Sequence, residues 1–296
     1  MLRGRGLIQG TNYCELRLIR THILGSAAGG GLPQWNCACA NCVAARVEKI
    51  APQTQSSIVI SGDDARWFLI NASPDLSRQI EHTPELQPRL DPPRNSPIAG
   101  VLLTNADLDH VLGLLLLREQ QMSLAVYAAD ETKTALAWMD NVLARFCRIN
   151  WRKISADFQS LSGSISFRAI KLPGSAALQF RDDTSGAIAL FAPTVGELTE
   201  ELRDAVDASD VVMFDGTFWS GDELAAVRPG ARSAREMNHL PISDGSLDFL
   251  RQSRARRKIY THINNTNPIL MPGTREREQV EQAGIEIARD GLEIVL

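Results

Sequence analysis

The chain has 296 residues, 44% hydrophobic and 22% charged, which suits one large globular domain or two small ones with ample core. A net charge of −4 supplies no basic field, which disfavours nucleic acid and anionic membrane surfaces as partners. The longest apolar runs, "IAGVLL" and "VLGLLLL", are too short to span a bilayer. Residues 1–18 are mildly basic but lack the continuous apolar centre of a secretory signal. They read as a loose extension ahead of one domain over 19–296, in a cytoplasmic protein.

In chain order, 16–24 predicts the first strand, ending in the turn "GSAAGGGLP". "SSIVISG" and "RWFLINA" predict a hairpin turning on Gly62, Asp63 and Asp64. Residues 86–97 are a proline-rich surface loop, and "IAGVLLT" reads as a buried strand. A helix starts near Asp107, "LAVYAA" is a strand, and 129–147 is a helix with Asp130 or Thr132 near its start. Later strands are "GSISFRAIKL", "GAIALFAP", "DVVMFDGT" and "RKIYTHI". Helices are expected over "VGELTEELRDAV", "SDGSLDFLRQ" with Ser243 as its cap, and "REREQVEQAG", before two short closing strands. Strands in both halves with helices interspersed predict an α/β fold of two sheets between helical layers.

Three of these strands end in metal-capable residues: "VLLTNADLDH", "VVMFDGT" and "IYTHI". Side chains at strand ends on a rigid sheet can converge on one point while the loops admit substrate. Asp109, His110, Asp215 and His262 would form a set of two carboxylates and two imidazoles around one cation. Asp107 fits a helix cap as well as a site. "NASPD" sets Asn71, Ser73 or Asp75 either near the site or in a turn.

The five cysteines are an odd number, and Cys37, Cys39 and Cys42 crowd into "CACANC". Cys37 and Cys39 are too close for a relaxed disulfide, so metal ligation is the better use of the cluster. Cys14 and Cys147 read as small semi-buried side chains, and His22 and His82 as structural or exposed. "GSAAGGG" fails both nucleotide fingerprints and reads as a backbone turn lining the site. "RQSRARRK" reads as a solvated basic run.

"TNADLDH", "FDGT" and "THI", in this order, resemble the metallo-β-lactamase superfamily, which implies its αββα sandwich. "LGSAAGGGLPQWNCACANC", "TQSSIVIS", "NASPDL", "FDGTFW", "HLPIS" and "HINNTNPIL" resemble more closely the coenzyme PQQ synthesis protein B family, from about residue 20 to the end. Against the superfamily core Thr-His-x-His-x-Asp-His, this chain has Asn105 and Asp107 in place of the first two histidines. The third histidine, expected near "KLPGSAALQF", does not occur. The resemblance therefore implies one active-site metal rather than two, which argues against hydroxide-bridged hydrolysis.

Two histidines with carboxylate oxygens suit Fe(II), Mn(II) or Zn(II), and with open positions match non-haem iron oxygenases. The family resemblance implies a role in making PQQ from the Glu and Tyr of a short peptide, by iron-dependent hydroxylation of the tyrosine ring. An older family assignment is transport of PQQ or a precursor, and a metallohydrolase is the third reading. His239 in "MNHLPIS" would serve as proton donor or acceptor near the metal. Asn238, where the family pattern has Gly, implies an altered loop. The resemblance also implies a structural zinc at the three cysteines, with Asn265 at the position of the fourth ligand. Implied partners are a tyrosine-containing peptide or dipeptide or a PQQ precursor, other PQQ-biosynthesis proteins, and further copies of the chain.

Overall fold

The computed structural model describes residues 19–120 and 123–296. The expected extension 1–18, Cys14 and the start of the first expected strand lie outside the described residues. Among the described residues fourteen strands divide equally between two sheets. In the first sheet, the strands are β1 (Arg20–Gly25), β2 (Ser57–Ser61), β3 (Trp67–Ile70), β4 (Ile98–Leu102), β5 (Leu124–Ala128) and β6 (Ile149–Lys153). The second holds β7 (Gln159–Ser162), β8 (Ile165–Leu172), β9 (Ser175–Asp182), β10 (Ile188–Ala192), β11 (Val211–Asp215), β12 (Arg257–Thr261) and β13 (Glu286–Ile287). The last strand, β14 (Leu292–Val295), returns to pair with β1 at the edge of the first sheet.

Alternation along each strand builds three apolar layers. Ile58, Ile60, Phe68 and Ile70 point between the sheets and meet Phe167, Leu178, Phe180, Phe191 and Met213. The intervening Val59, Leu69 and Val101 point outward to a helical layer of α2 (Leu76–Glu81), α3 (Leu108–Val111), α4 (Asp130–Ala135) and α5 (Ala137–Leu143), following α1 (Ala40–Arg46) in the chain. On the far side of the second sheet, Leu190, Val212 and Tyr260 pack with α1 and with α6 (Glu200–Asp207), α7 (Leu247–Gln252) and α8 (Arg275–Gln282). The result is the expected αββα sandwich. Among the described residues no helix is long and apolar enough to cross a membrane.

Several elements differ from the sequence reading. β6, β7 and β9 are strands that the pattern did not reveal: β6 and β7 are short, polar and marginal, and Ser175–Asp182 is rich in alanine. The helix expected over 129–147 breaks at Leu136, where φ −95° and ψ 9° leave the helical region. Residues 195–198 are not helical; α6 begins after Thr199, whose hydroxyl accepts from Leu202 N–H, and Val195 is left free to serve the site. Ser243 caps nothing. α7 starts after Ser246, because Gly245 at φ 143° interrupts the preceding turn.

β3–β4–β5–β6 and β10–β11–β12–β13 run parallel, so the loops after β4, β11 and β12 leave the same kind of sheet edge. Half-buried Asp290 fastens the glycine turn beside them, accepting from the N–H and hydroxyl of both Ser26 and Thr54. Gly29 in that turn lies against Asp109, where a Cβ would come 3.4 Å from its Cγ. Residues 108–113 are pinned to the end of β3 by Ala72 N–H donating to His110 O at 2.7 Å and Gly113 N–H donating to Ala72 O at 2.8 Å. A methyl on Gly113 would collide with the backbone of Ala72 and Ser73. Gly113→Ala is therefore expected to destabilise by about 1–3 kcal/mol and to displace His110. Urea unfolding checks the first effect and metal affinity the second; wild-type values for both would refute this packing.

Candidate metal centre

"TNADLDH" folds as a strand end, a short loop and the first turn of α3. Asp107 occupies the backbone position that caps α3, but its side chain caps nothing and instead accepts from Asn105 Nδ2 at 2.6 Å. Asn105 Oδ1 in turn lies 2.6 Å from His110 Nδ1. The carbonyl oxygen can only accept, so Nδ1 carries the proton and Nε2 presents its lone pair. His110 Nε2 is fully buried and has no hydrogen-bond partner. Burial holds this imidazole down to a pKa of about 4, against the opposing pull of Asp109.

His262 follows β12 at φ 54°, a left-handed conformation uncommon for a residue with a Cβ. Its Nδ1 lies 2.8 Å from Thr217 Oγ1, whose hydroxyl is 2.6 Å from Asp215 Oδ1. A proton on Nδ1 and the Thr217 hydroxyl donated to Asp215 satisfy all three groups and free His262 Nε2. That nitrogen lies 3.2 Å from Asp109 Oδ2, which is also 3.7 Å from His110 Nε2. Burial works against charge on Asp109, yet His110 and His262 outweigh it and hold the carboxyl well below the usual range. Burial likewise opposes a charged His262, but Asp109 and Asp215 keep its pKa raised.

Donor atoms of Asp109, His110 and His262 all lie within 4.8 Å of one another. Those of Asp215, His239 and His262 form a second such group. The four residues expected around one ion thus resolve into two triads sharing His262. Asp215 is heavily engaged: Oδ2 accepts from Val195 N–H at 2.8 Å and lies 2.7 Å from His239 Nδ1, while Oδ1 accepts from Thr217 N–H and Oγ1. Burial pushes this carboxyl up, but His239, His262 and Thr217 bring it net below its ordinary value. The His239 and His262 rings stack at 5.4 Å, and Phe218 meets His239 edge-on at 5.9 Å.

A cleft of about 520 Å³ opens over these groups, lined by Asp109, His239 and His262 together with Leu224, Val227 and Met237. The first metal position of the superfamily core lacks its imidazoles here. Asn105 and Asp107 hydrogen-bond one another and His110, and the β8–β9 turn at Pro173–Gly174 carries no ligand. Asn238 adopts φ 64° and ψ 36°, the conformation a glycine would supply, so its loop keeps that turn rather than altering it. Its Nδ2 donates to Pro173 O at 2.6 Å and ties the His239 loop to β8–β9.

Among the remaining expected residues, Asn71 (φ 62°) accepts from the Thr104 N–H and hydroxyl through Oδ1 and so supports the strand end before Asn105. Asp75 and Ser73 stand apart from the metal groups: Asp75 accepts from Gln55, and Ser73 donates to Gln79. His22 is buried against Trp67, and His82 is exposed beside Arg78 O. In the basic run, Arg251, Arg256 and Arg257 pair with Asp248, Asp210 and Glu286. Thr217 and Val195 escaped the sequence reading. The only signal was the Thr of "FDGT", two residues beyond Asp215.

Cys37 and Cys39, on the loop that enters α1, converge within 4.8 Å with Cys42 in the first turn of that helix. The Asn265 amide closes the open side, with Nδ2 3.2, 3.5 and 3.2 Å from the three sulfurs. Turning that amide over would put Oδ1, the ligating atom, in the same place. Asn41 Nδ2 donates to the Asn265 and Asn267 carbonyls and fixes this segment three residues from His262. Burial pushes the Cys42 thiol up to about 11, so a cation would have to displace its proton.

A buried imidazole nitrogen without a partner, aimed at a carboxylate and a second imidazole, fits a divalent cation. Three sulfurs under one amide fit a second, structural one. The two sheets and this histidine–carboxylate edge define the metallo-β-lactamase class, and a beta-lactamase superfamily domain model matches residues 66–263. Coenzyme PQQ synthesis protein B of Cupriavidus taiwanensis is 40% identical, covering 93% of this chain and 98% of that protein. The Rhizobium meliloti protein of the same name is 39% identical over 95% and 98%. The chain belongs to the coenzyme PQQ synthesis protein B family. The crystal structure of Zn2+-bound PqqB from Methylobacterium extorquens superposes with a TM-score of 0.86 at 35% identity, covering 94% of this chain and all of that one. A diphosphatase of the PhnP family shares the fold at a TM-score of 0.71 and 17% identity, covering 94% and 97% of the two chains.

Two predictions follow from this geometry. Protonated His262 competes with a cation for Nε2, so metal affinity at the histidine site should rise as pH increases through the His262 titration, while His110 stays neutral. Chelator competition between about pH 6 and 8 checks this; a flat profile would contradict it. Separately, Glu223 is half-buried beside the cleft, and desolvation raises its pKa from 4.5 to about 7 despite donors from Thr266 and Trp219 N–H. The folded state then holds its proton more tightly than the unfolded chain, so stability should fall as pH rises from about 4.5 to 7 and level off above. The full effect is at most about 3 kcal/mol. Glu223→Gln should flatten this part of the stability profile in urea titrations.

Proposed function

We propose that the protein acts in PQQ biosynthesis, as the name of its relatives states, by metal- and O2-dependent hydroxylation of the tyrosine ring in a Glu-Tyr peptide precursor. The observation that carries this reading is the triad of Asp109, His110 and His262. One carboxylate and two imidazoles at one point, with their open side on the cleft, are the donor set of non-haem Fe(II) oxygenases. When bound there, Fe(II) supplies the activation of O2 that no amino-acid side chain provides.

The chain's own residues do the rest. Asn105 and Thr217 hold the two imidazoles with Nε2 inward, and Gly29 lets the backbone approach Asp109. His239 directs its Nδ1–H to Asp215, leaving Nε2 as the atom that accepts the phenol proton and later returns it. Leu224, Val227 and Met237 give the ring an apolar wall. In the balanced reaction, one oxygen atom of O2 enters the ring. The other leaves as water, with two electrons and two protons from an added small-molecule reductant. The missing first-site imidazoles weigh against a two-metal hydrolase.

Anaerobic Fe(II)-loaded protein mixed with a Glu-Tyr substrate and a reductant, then exposed to isotopically labelled O2, should add one labelled oxygen to the ring by mass spectrometry. His110→Ala should abolish the product together with metal binding. His239→Asn should keep the metal and lower kcat by roughly 10²–10⁴-fold. Absence of any O2-dependent product with every divalent metal, alongside tight PQQ binding, would overturn the proposal in favour of a carrier.

A further inference from the structure

The segment between β11 and α7 carries more than His239. Ala234 N–H donating to Gly221 O at 2.9 Å closes residues 221–234 into a loop over the cleft, and His239 N–H donating to Ala234 O anchors its exit. Glu223 fixes the entry through Trp219 N–H and Thr266. Two guanidinium groups, Arg228 and Arg232, stand on this loop, and both line the same cleft as Asp109, His239 and His262.

Some surface arginines are matched with carboxylates, as Arg20 with Glu293, Arg257 with Glu286 and Arg277 with Glu281, and others with carbonyls or rings, as Arg46 with Cys37 O and Arg152 with Tyr127. Arg228 and Arg232 have no carboxylate within ion-pair distance among the described residues. Glu236 feels the charge of Arg232, but its carboxylate is taken up by the N–H and hydroxyl of Ser233. The acids within the cleft are also committed, Asp109 to the two histidines and Asp107 to Asn105. Two forked cations therefore face the cleft with their donors free, in the chemistry that seats carboxylates in bidentate fashion.

We propose that Arg228 and Arg232 form a carboxylate-binding subsite that seats an anionic amino-acid or peptide substrate against the histidine site and sets specificity for it. The inference rests on the proposed reading only in taking the seated molecule to be the substrate. It adds that the acidic groups of that substrate, rather than its ring alone, are what the cleft recognises. A positive loop over the cleft also favours encounter with an anion, and that contribution weakens with salt.

The test is calorimetric binding of L-glutamyl-L-tyrosine to the anaerobic Fe(II)-loaded full chain, with glutaminyl-tyrosinamide, which has the same ring but no carboxylate, as comparison. Arg228→Gln and Arg232→Gln should each raise the Kd for the acidic dipeptide about tenfold or more and should not weaken binding of the carboxylate-free one. Arg→Lys at each position should restore part of the affinity. Both side chains are exposed, so unchanged metal content and thermal unfolding verify that the variants fold. Equal Kd values for wild type and the double variant, or no binding of the acidic dipeptide by wild type, would overturn the subsite. Arginine-dependent binding without any O2-dependent product would leave the subsite standing and defeat the hydroxylation reading. Product formation with KM unchanged in the arginine variants would do the reverse.

Discussion

The structure around the cleft is organised by one constraint, a buried imidazole whose inward nitrogen has nothing to bond. His110 Nε2 lies beyond water, and the neighbouring Asp109 oxygen is 3.7 Å away, too far for a hydrogen bond. An unpaired buried polar atom costs of order 1–3 kcal/mol. The chain does not relieve that cost with a serine or a backbone group. It surrounds the atom with a carboxylate and a second imidazole and leaves the gap at the size of an ion. Metal affinity and folding stability are thereby linked, because the folded chain presents donors that the unfolded chain does not gather.

The convergence depends on the two sheets being packed face to face with their parallel strands ending at one edge. β4 delivers Asp109 and His110 from one sheet, while β11 and β12 deliver Asp215 and His262 from the other. His262 directly beyond β12 and Asn71 directly beyond β3 take left-handed conformations, so the chain turns at once there and the side chains stay near the sheet edge. The layers of Phe167, Phe180 and Phe191 behind them make the edge rigid. A shift of one sheet against the other would separate Asp109 from His262, two residues 153 positions apart in the chain.

The donors were legible in the sequence because each stands at the end of an apolar run, where a charged or imidazole side chain conflicts with its surroundings. The αββα fold was legible from the alternation of β2, β3 and β8 and from the superfamily likeness. Short, polar β7 and alanine-rich β9 were not, since their pairing is set by neighbouring strands rather than by their own pattern. Thr217 and the Val195 N–H were hidden for a related reason. A threonine two residues from an aspartate carries no chemical signal until the fold brings His262 against it. The division of Asp109, His110, Asp215, His239 and His262 into two triads likewise depends on distances that spacing cannot supply.

Asn105 takes an active part in the site although it carries no imidazole. An imidazole at 105 could itself ligate; the amide there instead accepts His110 Nδ1–H at 2.6 Å and donates to Asp107 at the same distance. Asn105 is thus an orienting residue, and His110 is held in the tautomer a cation requires. On the opposite side, Thr217 does the same for His262, and Asp215 orders His239. Two-metal hydrolysis needs both ions to share a hydroxide. A single ion flanked by an aspartate-ordered histidine suits chemistry in which the metal and a proton carrier act on different atoms of one substrate.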